Sequence, residues 1–377
     1  MRWRRSVAVQ TRRSDTFAAS MGMDLAGGAD PYVSLIEGAG VIGGRYHCPS
    51  ALPRAAGHFS LLFGADDSTN GKRVALKFFH PAHFADAYRR DSFTREARIL
   101  ADFRGQPNIL QLIEGERNFV VQATTVGGVV IPITIPYYVT ELAPGSLADY
   151  AYSSAANPRD SLVLFREVCK AIQRLHGRDA YHRDAKLQNC LIFPHKVVKL
   201  CDFGTVRFTN EPPLRLTYDL PVGDLRYSAI ELFCGLGNEA VYLPGADLFS
   251  LGAILFELFT RTQLTSLVYD IPQLLQLSQH FTRLPTAAKL TQYATLLPAI
   301  LTTWKLPSLA SLAPVPNCIR DRLERLYATL AALDYRVRRQ VTFEWVFREI
   351  EIALRILENE DKYRRWALAR RNRRMNR

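Results

Sequence analysis

The sequence predicts an α+β protein whose first part is rich in strands and whose second part is mainly helical. A chain of 377 residues is longer than one hydrophobic core usually serves, so two compact regions are expected. Two β-rich runs, 118–125 and 129–140, flank a Gly127-Gly128 turn in the first part. From Leu162 onward, apolar residues recur at helical spacing instead.

The first part begins with residues 1–40, which lack sustained periodicity and are rich in Gly, Ala and Ser. We expect this segment to be a largely disordered leader. Strands separated by turns are expected from Val41 to Lys77. Apolar residues along one face from Ser92 to Phe103 predict a helix.

Helices dominate the second part. Five residues at helical spacing form an apolar stripe: Leu162, Phe165, Cys169, Ile172 and Leu175. A segment that is apolar almost all round begins at Asp247 and predicts a buried helix. Residues 260–318 are rich in Leu, Thr and Pro and predict short helices. A last helix is expected from Phe343 to Leu357, followed by a basic tail at 358–377.

Basic residues are concentrated at the two ends of the chain. Residues 362–377 hold eight Lys and Arg and no acid, and the first fourteen residues hold five Arg and no acid. The net charge of +12 therefore belongs to the ends, and the remainder is close to neutral. A basic C-terminal tail indicates a nuclear-import or polyanion contact, with a solvated disordered end as the alternative. The N-terminal end weakly resembles a transit peptide, although a disordered leader is the simpler interpretation.

Cysteine use and hydropathy bear on the compartment. The six cysteines form no C-x-x-C pair, which suits reduced thiols and favours a cytoplasmic or nuclear location. The longest apolar runs, 248–259 and 126–139, are short or interrupted, so no membrane span is expected.

The most informative stretch runs from Tyr181 to Gly204. His182-Arg183-Asp184 with Asn189 matches the pattern H-R-D-x-x-x-x-N, and Asp202-Phe203-Gly204 matches D-F-G. A carboxylate can orient a substrate hydroxyl and accept its proton, while amide and carboxylate oxygens suit Mg²⁺. The residue types are therefore those that phosphoryl transfer requires.

Two short strands are predicted between these motifs, at Cys190–Phe193 and Val197–Cys201, around a Pro194-His195 turn. Such a hairpin would hold both carboxylates on one rigid edge. The ordered pair of motifs on this scaffold resembles the eukaryotic-type protein kinases, with a serine/threonine-specific pattern, as a divergent member of that superfamily. The resemblance covers about residues 42–357.

The resemblance implies a two-lobe protein kinase fold at 41–357, with a β-rich lobe at 41–142 and a mainly helical lobe at 143–357. It also implies transfer of the γ-phosphoryl group of ATP to serine or threonine hydroxyls of a protein, with Mg²⁺. Asp184 would orient the hydroxyl and Lys186 would steady the γ-phosphate. Lys186 follows Asp184 by two residues, as is typical of the serine/threonine enzymes.

Further site residues are implied by the same resemblance. Lys77, which ends Val74-Ala75-Leu76-Lys77, would contact the α- and β-phosphates and pair with Glu96. Asn189 and Asp202 would hold Mg²⁺. The ATP contacts implied by the glycine-rich loop, the strand, the interlobe hinge and the floor of the pocket are Ala55, Gly57, Phe59, Leu62, Ala75, Lys77, Thr140, Glu141, Ala143 and Leu191.

The family also implies supporting contacts. Asp247 would anchor the backbone of the catalytic loop, and Arg338 would pair with Glu231. Arg183 would bind a phosphate on the segment after Gly204, for which the candidates are Thr209, Thr217 and Tyr218.

Three departures from the family pattern leave alternatives open. Only Gly57 remains of the three loop glycines, Asp224 stands where threonine is usual, and Ile230 replaces a proline. Asp224 is expected to pair with Lys186 and also to add a negative charge near Asp184, which would slow the reaction. These departures are compatible with a pseudokinase or interaction scaffold that has weak or no catalysis. A small-molecule kinase of the aminoglycoside or choline type is a second alternative, which Lys186 and Asp247 disfavour.

Overall fold

The computed structural model of the protein describes residues 30–52, 60–124, 128–214 and 222–375, with the backbone alone for 370–375. The chain divides into two compact units, residues 1–142 (unit 1) and 143–377 (unit 2). Unit 1 is built on a β-sheet and unit 2 is mainly helical.

In the described residues of unit 1, six antiparallel strands form one sheet in the order β1-β2-β3-β4-β6-β5. The strands are β1 (Val41–Ile42), β2 (Tyr46–Ala51), β3 (Ser60–Asp67), β4 (Arg73–Phe79), β5 (Leu112–Thr124) and β6 (Val130–Glu141). Long β5 and β6 confirm the two β-rich runs of the sequence. In the centre of the sheet, Ala75 on β4 pairs with Gly64 on β3 and with Thr140 on β6.

A short helix, α1 (Pro31–Gly38), precedes the sheet and packs against it through buried Tyr32 and Ile36. Asp30 caps this helix, because its carboxylate accepts a hydrogen bond from the Tyr32 amide at 2.9 Å. The predicted disordered leader at 1–40 is therefore wrong for residues 31–38. The helix is only eight residues long, which is too short for its apolar residues to stand out as a sustained period. Residues 1–29 lie outside the described residues.

Helix α2 (Ala87–Asp102) is the second helix of unit 1 and begins before the predicted start at Ser92. Asp86 caps it by accepting from the amide of Arg89 at 3.2 Å. None of the residues 87–92 is buried, so the apolar pattern detected only the part of the helix with buried residues, which include Phe93, Glu96 and Leu100.

Unit 2 is built around two long helices, Pro158–His176 and Leu243–Thr260, that pack on each other. Its helices are α3 (Leu147–Ala151), α4 (Pro158–His176), α5 (Ile230–Phe233), α6 (Leu243–Thr260), α7 (Leu264–Val268), α8 (Ile271–Thr282), α9 (Thr286–Thr303), α10 (Leu309–Leu312), α11 (Arg320–Leu330), α12 (Tyr335–Arg338) and α13 (Phe343–Met375). The stripe from Leu162 to Leu175 is the buried face of α4, as predicted. Helix α6 is buried almost all round, also as predicted.

Short strands of unit 2 carry the motif region. They are β7 (Gly145–Ser146), β8 (Ala180–Tyr181), β9 (Cys190–Phe193), β10 (Val197–Leu200) and β11 (Arg207–Phe208). The predicted hairpin is present, since β9 and β10 pair antiparallel around a tight turn at Pro194–Lys196. β9 also pairs with β7, and β8 pairs with β11.

Among the described residues, α6 is the one helix whose length and apolar composition would allow it to cross a membrane. In the fold, 83% of this helix is buried. A buried core helix of a folded domain meets the same criteria.

The last helix, α13, continues to Met375, so the prediction that it ends at Leu357 is wrong. Ion pairs one turn apart support the extension: Glu358 with Lys362 at 3.0 Å and Glu360 with Arg364 at 3.2 Å. These pairs stabilise a helix that has no buried apolar face there. Residues 361–369 are exposed.

Candidate active site

The carboxylate of Asp184 lies at the centre of a compact group of polar atoms in unit 2. Its Oδ2 lies 2.9 Å from Nζ of Lys186 and accepts a hydrogen bond from Nδ2 of Asn189 at 3.1 Å. The Asn189 amide nitrogen also donates to the main-chain carbonyl of Asp184 at 2.9 Å. The turn Leu187–Asn189 brings these three side chains together within six residues of chain. In the catalytic loop predicted from the sequence, the side chains of Lys186 and Asn189 therefore hold the carboxylate of Asp184.

Asp247 holds this loop from helix α6. Its buried carboxylate accepts hydrogen bonds from the amides of His182 and Arg183, both at 2.8 Å, and contacts Nε2 of His176 at 2.9 Å. Arg183 has a φ of 63°, a left-handed conformation that is costly for a residue with a side chain. The hydrogen bonds from these two main-chain amides to the Asp247 carboxylate offset the local strain. They thereby fix the backbone from which the Asp184 side chain projects.

Asp202 follows β10 and is also left-handed, with a φ of 65°. The amide of the preceding Cys201 donates to the Asn189 carbonyl at 2.9 Å, which ties the two motifs together. Phe203 is buried and its ring packs edge-on against His182, with centroids 5.4 Å apart. Asp202 is thus attached to the same loop that carries Asp184.

The electrostatics of this group fit a cation beside it. Burial raises the pKa of Asp184, and the nearby charge of Asp202 raises it further, although Lys186 opposes both effects. Two close carboxylates of like charge are relieved by a divalent cation, and the amide oxygen of Asn189 is a hard ligand for one. No group of three or more His, Cys, Asp or Glu that could hold a metal occurs in the described residues. Asn189 and Asp202 therefore fit Mg²⁺ only as partial ligands, with phosphate or water oxygens completing the shell.

A second segment, residues 222–229, reaches the same carboxylate. The backbone amide of Asp224 donates to Oδ1 of Asp184 at 2.6 Å. Gly223 has a φ of +83°, and a Cβ there would lie 2.2 Å from the carbonyl oxygen of Arg183. Only glycine permits this close approach. Sequence reasoning missed this contact, and Gly223 beside Asp224 was the available signal.

The side chain of Asp224 is paired with Lys186, as expected, and also with Arg226, which the sequence analysis did not name as a partner. Oδ1 and Oδ2 accept hydrogen bonds from Nε and Nη2 of Arg226 at 2.8 and 2.5 Å. Oδ2 also lies 3.6 Å from Nζ of Lys186. Burial would raise the pKa of Asp224, but the hydrogen bond from Arg226 and the charge of Lys186 outweigh it and lower the pKa.

Glu257 on α6 anchors this segment and was not predicted. Its buried carboxylate accepts hydrogen bonds from the hydroxyls of Tyr227 and Tyr152. Ser250 and Thr265 donate to the main-chain carbonyls of Tyr227 and Arg226 at 3.0 and 2.9 Å. An acid inside an apolar helix was the available signal, because a buried carboxylate requires partners.

Glu231 at the start of α5 pairs with Arg338 of α12, as the family pattern implied. Both side chains are fully buried. Arg338 also donates to the carbonyl of Gly245 at 2.7 Å. Ile230 occupies the position of the usual proline without preventing this pairing.

The expectation that Arg183 binds a phosphate stays a prediction. The Arg183 guanidinium is buried and donates to the carbonyls of Thr205 at 2.7 Å and Gly237 at 2.8 Å. Nη1 also donates to the side-chain oxygen Oδ1 of Asn238 at 3.4 Å. Of the candidate phosphorylation sites, Thr217 and Tyr218 lie outside the described residues.

In unit 1, Lys77 and Glu96 form the ion pair that the family pattern implied. Nζ of Lys77 on β4 lies 2.8 Å from Oε2 of Glu96 on α2. Lys77 pairs in register with Leu62 on β3 and with Tyr138 on β6. The strand positions therefore direct the lysine to the helix, as predicted.

The remaining predicted ATP contacts fall into three groups. In unit 1, Ala75 pairs with Thr140 across the sheet, and the Glu141 amide donates to the carbonyl of Gln111 at 3.1 Å. In unit 2, Ala143 precedes β7, and Leu191 on β9 pairs with Ser146. Ala55, Gly57 and Phe59 lie outside the described residues.

Comparison with known proteins agrees with this geometry. The protein kinase domain family matches residues 55–296. Similar proteins include the serine/threonine-protein kinase TIO of Arabidopsis thaliana, 32% identical over 54% of this chain and 14% of that protein. Others are the serine/threonine kinase NLK of Caenorhabditis elegans, 29% identical over 59% of this chain and 33% of that protein, and the putative cyclin-dependent kinase F-2 of Oryza sativa subsp. japonica, 29% identical over 58% and 63%. The chain thus spans less than two thirds of the length of each of these relatives. By its domain match and its relatives, this chain belongs to the eukaryotic-type protein kinase superfamily.

Proposed function

We propose that the chain is an ATP-dependent protein serine/threonine kinase. The observation that carries the proposal is the position of Asp184, whose two carboxylate oxygens are held by Lys186, Asn189 and the amide of Asp224. A base fixed from three sides can orient a hydroxyl without reorganising during the reaction. The names of the similar proteins support a serine/threonine acceptor.

The residues divide the work of phosphoryl transfer. Asp184 orients the acceptor hydroxyl and takes its proton as the hydroxyl oxygen bonds to the γ-phosphorus of ATP, while the bond from that phosphorus to the β-phosphate oxygen breaks and ADP leaves. Lys186, already charged and paired, donates to the transferred group. Lys77, oriented by Glu96, contacts the α- and β-phosphates. Mg²⁺, held in part by Asn189 and Asp202, would neutralise charge on the phosphates.

Incubation of the full-length protein with radiolabelled ATP and Mg²⁺ tests this proposal. Generic protein substrates are compared in parallel with choline and an aminoglycoside, and phosphoamino acids are identified in any labelled protein. We expect label on serine and threonine, and none with Asp184→Asn. Label on the small molecules would identify a small-molecule kinase. The absence of any label, with folded protein, would favour the scaffold.

We also propose that the basic end of α13 contacts a polyanion in the cytoplasm or nucleus. Lys362, Arg364 and Arg365 project from an exposed helical segment. In the sequence from 362 to 374, basic residues fall at every part of a 3.6-residue repeat, so the pattern contains no separate apolar face for insertion into a lipid surface. Nucleic acid is the polyanion that such an all-round charge fits best.

A further inference from the structure

The four side chains Asp184, Lys186, Asp224 and Arg226 form a linear series of alternating charge. Lys186 lies 2.9 Å from Asp184 and 3.6 Å from Asp224, so it is shared between two carboxylates but closer to the first. Arg226 contacts the far side of Asp224 at 2.5 Å. Among the described residues, Lys186 and Arg226 are the cations that pair with Asp224.

We propose that Arg226 is a positioning residue that makes an aspartate acceptable at position 224. By binding both oxygens of Asp224, Arg226 draws negative charge away from Lys186 and leaves that lysine on Asp184. Without the Arg226 guanidinium, Asp224 would keep the hydrogen bond from the amide of residue 226 at 3.0 Å, but Lys186 would be its one paired cation among the described residues, and the ammonium group would move toward it. The inference rests on the proposed kinase function, because Lys186 matters only if phosphoryl transfer occurs.

The geometry separates this effect from a general structural role. The backbone around Arg226 is held by Thr265, which donates to the Arg226 carbonyl at 2.9 Å, and by the Tyr227 hydroxyl on Glu257. The Arg226 side chain is 44% exposed. Removing the guanidinium therefore leaves the segment anchored while it takes one paired cation away from the Asp224 carboxylate.

The chain also contains a matched control. Arg336 binds Asp334 with the same two-residue spacing, through Nε at 2.9 Å and Nη2 at 2.7 Å, and its amide also donates to Asp334 at 2.9 Å. Arg336→Gln removes an equivalent ion pair from the same unit without touching Asp184 or Lys186.

A double-mutant cycle tests the proposal. We expect Arg226→Gln to lower kcat about tenfold with little change in KM for ATP, because only the placement of Lys186 is altered. In the Asp224→Thr protein, which has no carboxylate at position 224 for Arg226 to bind, the same change should cost less than about twofold. Arg226→Lys should restore most of the rate, and Arg336→Gln should leave it unchanged. An equal loss in both backgrounds, or no loss in either, would overturn the proposal.

A crystal structure of the Arg226→Gln protein gives a readout that needs no activity. Nζ of Lys186 should lie closer to Asp224 than to Asp184, the reverse of the present 3.6 and 2.9 Å. An unmoved lysine would refute the positioning role. If the parent protein transfers no phosphate, the proposed function fails, and the position of Lys186 still decides whether Arg226 directs it.

Discussion

Arg338 and Glu231 form a fully buried ion pair that joins α12 to α5, although 107 positions separate them in the chain. The pair lies where the segment that contacts Asp184 ends. Its role is therefore to fix the end of a segment whose beginning forms part of the site.

We predict that Arg338→Met lowers the free energy of unfolding by about 3–5 kcal/mol, because it leaves the Glu231 carboxylate buried and unpaired. Urea unfolding of the full-length protein measures this free energy. Arg338→Met with Glu231→Gln should recover part of the loss, since no uncompensated charge remains. A double variant that is less stable than the single one would contradict the assignment.

Lys77→Met should reduce phosphoryl transfer by about 10²- to 10³-fold, because the variant has no preorganised cation at the phosphates. Glu96→Gln should cost about tenfold, since Lys77 remains but is less firmly directed. Lys72→Met is the matched control, on an exposed turn of the same unit, and should behave as the parent. Equal activity of the Lys77 and Lys72 variants would remove Lys77 from the site.

Gly223→Ala should lower kcat about tenfold and destabilise the protein, because its Cβ would strike the Arg183 carbonyl and displace the Asp224 amide from Asp184. Gly71→Ala carries the same left-handed penalty, with a φ of +68°, but meets no atom within 4 Å. It should lose about 1 kcal/mol of stability and no activity. Comparable kinetics for the two variants would show that the close approach is unimportant.

Asp247→Asn should show a pH-dependent loss of stability. Burial would raise the pKa of Asp247, but the hydrogen bond and charge of His176 and the Arg183 amide outweigh it, and the pKa lies below its ordinary 3.8. A carboxyl with a lowered folded pKa stabilises the fold above its unfolded pKa, and this stabilisation is lost as pH falls through the folded value.

The parent and Asp247→Asn proteins should therefore differ by about 2 kcal/mol above about pH 5 and progressively less below about pH 4. Urea unfolding across this range measures the difference. A gap that widens in acid would mean that Asp247 is not ionised in the folded protein.

Deletion of residues 362–377 should abolish salt-sensitive retention on duplex DNA and leave kcat unchanged. Arg364→Gln with Arg365→Gln should lower the slope of log K against log salt by about 0.9 for each phosphate that the variant no longer neutralises. Arg348→Gln with Arg355→Gln removes the same charge from positions earlier in α13 and should not change the slope. Retention of the deleted protein would assign polyanion binding elsewhere.

The local parts of the site could be predicted from the sequence alone. Asp184, Lys186 and Asn189 lie within six residues, so the covalent chain limits how far apart their side chains can be. The β9–β10 hairpin was predictable for the same reason, since a tight turn brings Asp202 back to the loop. Lys77 and Glu96 required the family pattern as well, because a strand and a helix separate them.

Tertiary packing alone decided which distant groups complete that loop. The Asp224 amide on Asp184, the tyrosine hydroxyls on Glu257 and the directed guanidinium of Arg183 each join segments that lie far apart in the chain. A buried acid in the sequence indicates that donors are needed, but the packing of the helices determines which donors reach it. Asp224 shows the difference: the family pattern implied that it pairs with Lys186 and adds negative charge near Asp184, whereas the fold also places the Arg226 guanidinium against it.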